Sequence, residues 1–293
     1  MILGSASRDL IRQSSETLAG RISYLEVTPF TLAEIPGPFH ARWLQGGFPR
    51  SFLAAEDNSF RWRRDFIRDF LERDIPQLKG AVPPERIGNL WSMCAHSHGQ
   101  LLNLEKLAGS LGVHAGTVRI YLDLLCGAFM MRRLPPFIAN VKKRLVKSPK
   151  TYIRDTGILH ALLGLSSMDD LFGHPILGDS WEGLVIETIL ASLPDGIDYG
   201  FYRTSHGAEI DLVLQVGSRR IAIECKASTA PKVSRGFWNA LEDLNIDQAF
   251  IVAPVDEAYP YEGNVEVLPV TEAADRLPSW VRNDRDDRHP PSS

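Results

Sequence analysis

The chain has 293 residues, enough for two or three modest domains with a sizeable buried core. Its hydrophobic content of 44% and charged content of 23% are ordinary for a soluble globular protein. The net charge of -4 excludes a polycation built to coat nucleic acid, so any such contact must come from a local patch.

The first segment, 1–35, reads as a strand end, a helix over 8–19 and a strand over 22–28. Its opening, MILGSASRDLIRQ, has no basic region followed by an apolar run, and no stretch of the chain reaches the length of a membrane span. The three cysteines, Cys94, Cys126 and Cys225, lie far apart with no pair at metal-ligand spacing. A cytoplasmic protein without membrane contact is therefore expected.

Pro36 and Pro38 break the pattern, and a helical segment follows over 36–83. Trp62, Phe66 and Phe70 recur every four residues, which predicts a helix over 59–75 with one apolar stripe and a solvated charged face, ended by Pro76. The Gly-Gly pair in Trp43 to Pro49 reads as a bend.

Residues 84–136 carry two short amphipathic helices. Leu104, Leu107, Ala108 and Leu111 form one face, Gly112 breaks it, and Val118, Tyr121, Leu122 and Leu125 form the next. That is a helix-turn-helix pattern, with a small wing expected after Phe129. The start of its second helix holds Arg119 as the one strong phosphate or base contact. His96 and His98, two apart on a helix, point away from each other and read as surface or packing residues.

From Arg132 to Lys150 the residues Arg132, Arg133, Lys142, Lys143, Arg144, Lys147 and Lys150 occur with no acid among them. This run is suited to sequence-independent phosphate contacts; the alternative is a solvated linker.

Residues 137–275 read as an α/β domain with a helix over 181–193, strands over 199–203, 208–216, 220–226 and 249–253, and a helix over 237–244. The tail 276–293 reads as polar and disordered. Within the domain, Gly217-Ser218 predicts a two-residue turn. In that register Asp211 opposes Glu224, and Glu209 opposes Lys226. Ile210, Leu212, Leu214, Ile221, Ile223 and Cys225 fall on one face; Glu209, Asp211, Val213, Ala222, Glu224 and Lys226 fall on the other. Opposed carboxylates repel unless a metal, a proton or a cation offsets them. Two acids and an ammonium so placed form a set for metal-assisted phosphodiester hydrolysis, with Mg²⁺ on the acids and the lysine on the water or the phosphate. A charge ladder on a solvated sheet face is the alternative from the residues alone.

The hairpin, with Glu182 in the preceding helix, resembles the core of the restriction-endonuclease-like superfamily. Asp211, Glu224 and Lys226 match its motif, and Glu182 matches its helix glutamate. Over nearly the whole chain the sequence resembles prokaryotic AAA+ type ATPases whose C-terminal domain of unknown function (4143) has this core. The segments that carry the likeness are LAGRISYLEVTPFTLAEI, WLQGGFP, FIRDFLERDI, YIRDTGILHALLG, GAEIDLVL and IAIECKAS. The resemblance implies an ATPase core remnant over 1–35, a helical lid, a winged helix-turn-helix and a restriction-endonuclease-like α/β domain. It further implies Mg²⁺ at Glu182, Asp211 and Glu224, DNA as partner, and Ser5, Ser7 and Arg21 as remnants of a nucleotide site.

The chain departs from that family in having no G-x-x-x-x-G-K-[ST] loop and no Gly-Lys dipeptide at all. ATP is therefore not expected to bind this chain alone. A separate ATPase half or a homo-oligomer is the expected partner, and the chain reads as a truncated product or one piece of a split protein. The remaining expectation is a non-enzymatic module that binds DNA or another protein.

Overall fold

The computed structural model describes residues 26–35, 38–78, 82–138, 143–194 and 196–286, with 279–286 as backbone alone. Ser5, Ser7, Arg21 and Lys142, and with them most of the expected ATPase remnant, lie outside the described residues.

Helices α1 (Phe39–Gln45), α2 (Pro49–Phe52) and α3 (Glu56–Asp69) open the described chain. The expected aromatic stripe holds: Phe48, Trp62, Phe66 and Phe70 pack ring on ring. Pro76 does not end this helix. It has no N–H to donate and its ring crowds the preceding turn, and the chain widens into a π-helical turn over Phe70–Asp74 before continuing as α4 (Ile75–Leu78). Nor is the charged face wholly solvated. Arg63 is buried and donates to the carbonyls of Leu44 and Gly157, so it ties α3 to a later helix.

Next come α5 (Pro84–His96), α6 (Leu104–Leu111) and α7 (Ala115–Gly127). Asn103 caps α6 by accepting from the Lys106 amide, and Gly112 ends it in the left-handed conformation at φ 64°. Val118, Tyr121, Leu122 and Leu125 of α7 are all buried, as their spacing requires. Strand β1 (Met131–Leu134) pairs antiparallel with β2 (Lys150–Ile153), so the second strand comes from beyond residue 137. Helices α8 (Thr156–Leu163) and α9 (Met168–Phe172) lead into α10 (Leu177–Ser192).

The C-terminal part is a mixed α/β unit with a six-stranded sheet. Its strands are β3 (Asp198–Arg203), β4 (Glu209–Val216), β5 (Arg219–Cys225), β6 (Gln248–Ala253), β7 (Tyr259–Glu262) and β8 (Val265–Pro269), in the order β3-β4-β5-β6-β8-β7. Strands β5, β6 and β8 run parallel, so a crossover is needed, and α11 (Arg235–Leu244) supplies the one between β5 and β6. One face packs with α10 and α12 (Val270–Asp286) through Leu212, Leu214, Ile223, Phe250 and Leu277. The other packs with α11 through Val213, Ala222, Ile251, Phe237 and Leu241. Both faces being covered, β6 is buried from Ala249 to Ala253. The expected disordered tail is helical as far as Asp286: Leu277 is buried, and Arg276 pairs with Glu266 and Glu272.

Hydrogen bonds tie the helical half to α8, α10 and β3. Gly47 donates its amide to Asp155 Oδ2 at 2.7 Å, and Trp43 Nε1 donates to Ser180 Oγ at 2.9 Å. Phe137 N donates to the carbonyl of Phe201 in β3 at 2.7 Å.

Candidate functional site

The β4–β5 hairpin has the expected register. Leu212 pairs with Ile223, Val213 with Ala222 and Val216 with Arg219, around Gly217 at φ 60°. The regular pairs end at Leu212–Ile223, one residue short of Asp211 and Glu224. On the β3 side Gly200 pairs with Val213 and Tyr202 with Ile210, so Asp211 and Leu212 together oppose the single residue Phe201. This is a β-bulge, and it corrects the strict alternation expected from the sequence. Ile210 packs with the α11-side cluster, whereas Leu212 and Leu214 pack on the α10 side. The bulged Asp211 turns its carboxylate to the Cys225 amide, 2.9 Å from Oδ2, and toward Lys150, 3.4 Å from Oδ1.

Glu182 arrives from α10. The indole of its neighbour Trp181 donates to the Val252 carbonyl of β6 at 3.0 Å and fixes that helix against the end of the strand. Glu182, Asp211, Glu224 and Lys226 line one cleft of about 490 Å³, together with Asp179 and Lys150. A cleft of the same size beside Glu85 and Asn89, between α5 and α6, gathers no comparable set.

Electrostatics in the cleft are dominated by burial of like charge. Glu182, Asp211 and Glu224 are each less than a tenth exposed. Burial, then the Asp211 carboxylate, pushes Glu182 up to about 7 and Glu224 up to about 8. Lys226 donates to Glu224 Oε1 at 2.6 Å, and the Tyr152 hydroxyl donates to Glu182 Oε1. Glu224 Oε2 is buried with no hydrogen-bond partner. Burial and mutual repulsion thus hold the Glu182 and Glu224 carboxyls toward their protonated form unless a cation joins them.

Sequence reasoning missed the role of Lys150. It stood in the basic run as a phosphate contact, yet its ammonium is buried among acids, 2.9 Å from Glu182, 3.2 Å from Glu209 and 3.4 Å from Asp211. Burial disfavours that charge, but the three acids outweigh it and raise the lysine above its ordinary value. A signal was available: Lys150 leads straight into the apolar strand Thr151-Tyr152-Ile153, and a lysine entering a core needs an acid beside it.

The other basic residues divide. Arg132 is turned inward, where it forks onto Glu187 and also donates to the Tyr199 hydroxyl at 3.3 Å. Arg133 pairs with Asp123 and Lys143 with Asp243, both at 2.5 Å. Arg144, Lys147 and Arg119 are exposed, with no ion pair among the described residues. His98 is a packing residue: it is buried, its Nδ1 accepts from the Ile153 amide at 3.0 Å, and its ring sits against Gly183.

Residues 177–273, which include every acid of the cleft, match a family model described as Domain of unknown function (DUF4143). Such a domain typically sits in AAA-ATPase-associated proteins. Upstream of the DUF4143 region, residues 37–169 match a second model, Domain of unknown function (DUF8612). Two curated relatives, uncharacterized protein Mb2031c of Mycobacterium bovis and uncharacterized protein Rv2008c of Mycobacterium tuberculosis, are each 42% identical over 271 residues. The match takes in 92% of this chain but only 61% of each relative. A crystal structure of protein VC1899 from Vibrio cholerae aligns with 80% of this chain and 57% of its own at 14% identity. Its TM-score is 0.27, too slight a likeness to fix the fold. Among the described residues no helix is long and apolar enough to cross a membrane.

Proposed function

We propose that this chain is the DNA-associated C-terminal portion of a cytoplasmic AAA+ type ATP-binding protein. In this reading the DUF4143 region has a restriction-endonuclease-like fold, and its cleft hydrolyses phosphodiester bonds with Mg²⁺. The helices α6 and α7 with the β1–β2 pair act as a winged helix-turn-helix. ATP hydrolysis is not assigned to this chain alone; a separate ATPase half or an assembly of copies would supply it.

The observation that carries the reading is the convergence of Glu182, Asp211, Glu224 and Lys226 from three elements on one cleft, with Glu224 Oε2 buried and unpartnered. Carboxylate oxygens are the donors a hard divalent cation takes, so the chemistry of the set fits Mg²⁺. The placement fits less well. Among the described residues no three such side chains are grouped to hold one ion, because Glu182 and Asp211 converge on the Lys150 ammonium. Asp211 and Glu224 are therefore the ligands assigned, and Glu182 would join them only where the Lys150 ammonium gives way. Bound Mg²⁺ would supply a water of lowered pKa and positive charge at the phosphate. Lys226, about a third exposed, would neutralise phosphate charge at the mouth of the cleft. Arg119, Arg144 and Lys147 would contact the DNA backbone without reading sequence.

A second reading, a non-enzymatic module that binds DNA or protein, is favoured by Lys150, since three acids already share its ammonium. Cleavage of plasmid and single-stranded DNA with Mg²⁺ or Mn²⁺ separates the two. Cutting by the wild type that is lost in Asp211→Asn and in Glu224→Gln supports the nuclease; no cutting by the wild type leaves the binding module.

A further inference from the structure

Lys150 belongs to a different part of the fold from the acids it serves. Its strand β2 pairs with β1, and its neighbours are tied to the loop after α5: Leu102 N donates to the Pro149 carbonyl, and Gly99 N to the Thr151 carbonyl. From there its side chain crosses to Glu182 on α10 and to Glu209 and Asp211 on β4. At 4% exposure the ammonium cannot reach a phosphate outside the cleft without leaving these partners. It takes the oxygen ligands that a small hard cation would take.

The rest of the cluster does not share this lysine. Glu224 is bonded to Lys226 through Oε1, while its Oε2 is buried within the cleft and unpartnered. Four acids, Glu182, Glu209, Asp211 and Glu224, thus face Lys150, Lys226 and the more exposed Arg203.

We infer that Lys150 is a built-in counter-cation seated in the metal position of the cleft, so that a divalent ion binds only in competition with its ammonium. This inference rests on the reading of the cleft as a cation site. It makes Lys150 a positioning residue that sets cation affinity. It also makes the charge balance of the DUF4143 cleft depend on docking of β2, which is carried by the upstream half. With Lys150 in place the Glu182–Asp211 side is neutralised, and an entering ion meets only the Asp211–Glu224 side. With the ammonium removed, Glu182 and Asp211 lose their cation while Glu209 keeps Arg203, and the cleft becomes a stronger divalent site.

The test uses the whole chain and two readouts, Mn²⁺ binding by isothermal titration calorimetry and thermal unfolding with and without Mg²⁺ or Mn²⁺. Lys150→Met is expected to melt below the wild type without metal, to recover with millimolar metal, and to bind Mn²⁺ at least about tenfold more tightly, the scale expected when one nearby positive charge is withdrawn. The gain is expected to vanish in Lys150→Met/Asp211→Asn. A folded Lys150→Met that binds Mn²⁺ no more tightly than the wild type overturns the inference. If Lys150→Met does not fold, Lys150→Met/Glu182→Gln, with one acid fewer to neutralise, is compared with Glu182→Gln; equal Mn²⁺ affinity in those two also overturns it. Neither readout needs DNA cleavage. A chain that never cuts DNA removes the nuclease reading and leaves the Lys150 competition standing or falling on metal binding.

Discussion

Asp211 accepts the main-chain amide of Cys225, 2.9 Å from Oδ2 to N, where the regular pairing of β4 with β5 has just ended. A carboxylate thus takes over from the ladder, and it holds the end of β5 in place beside Glu224. The bulge that opposes Asp211 and Leu212 to Phe201 alone is what turns the carboxylate this way.

Replacing Asp211 by Asn keeps a side-chain oxygen for the Cys225 amide but removes the charge. DNA cleavage in Mg²⁺ is expected to fall at least about 100-fold while the melting temperature stays near the wild type, on the scale of losing one charged group from a preorganised site. Asp211→Ala leaves the amide unpaired as well, and is expected to cost a further ~1–3 kcal/mol in urea unfolding.

Arg132 and Arg144 separate stability from DNA contact. Arg132→Ala leaves the buried Glu187 with Arg154 as its remaining cation and is expected to destabilise the chain by about 1–3 kcal/mol. Arg144→Ala and Lys147→Ala are expected to leave unfolding unchanged and to weaken DNA binding, each lowering the slope of log K against log salt by about one. Filter binding at several salt concentrations beside thermal melts reads both effects.

His160 gives a pH dependence. Its Nδ1 faces the Leu44 carbonyl at 3.0 Å and its Nε2 the Ser180 hydroxyl at 2.8 Å. Burial holds it down to about 4, and burial holds His98 down to about 3. Both are then neutral in the fold and take up protons more readily when unfolded. Their contribution to stability is full above the ordinary histidine value near 6.5 and is lost as pH falls toward 4 and 3. Urea midpoints between pH 7 and pH 4 are expected to fall, with a shallower slope in His160→Gln. An unchanged slope in that variant would count against the assignment.

Gly157 marks a tight contact between α1 and α8. A Cβ there would lie 2.2 Å from the Gln45 carbonyl oxygen, and one on Gly46 would lie 2.1 Å from Asp155 Oδ1 at a φ of 77°. Gly157→Ala is expected to destabilise by roughly 1–3 kcal/mol, the usual cost of overpacking a tight contact, read as a lower denaturation midpoint.

Local features were legible in the order of residues alone. The turn at Gly217-Ser218 and two alternating runs leave one register that buries both apolar sets, so the pairs from Val216–Arg219 to Leu212–Ile223 could be read directly. The i, i+3, i+4, i+7 spacing of Val118, Tyr121, Leu122 and Leu125 likewise sufficed for α7. The acids of the cleft were legible because they lie on that hairpin and on the helix just before it. Tertiary structure decided the rest. The bulge at Asp211 depends on β3, whose pairing no period in β4 encodes. The helix over the polar tail forms because Leu277 finds a place against the sheet, overriding composition. Above all, the cation among the acids is Lys150, 32 residues before Glu182 and 61 before Asp211. A run of like charges in sequence says nothing about which member is drawn inward. That is settled by strand pairing and by the electrostatic demand of buried carboxylates, which only the folded chain brings together.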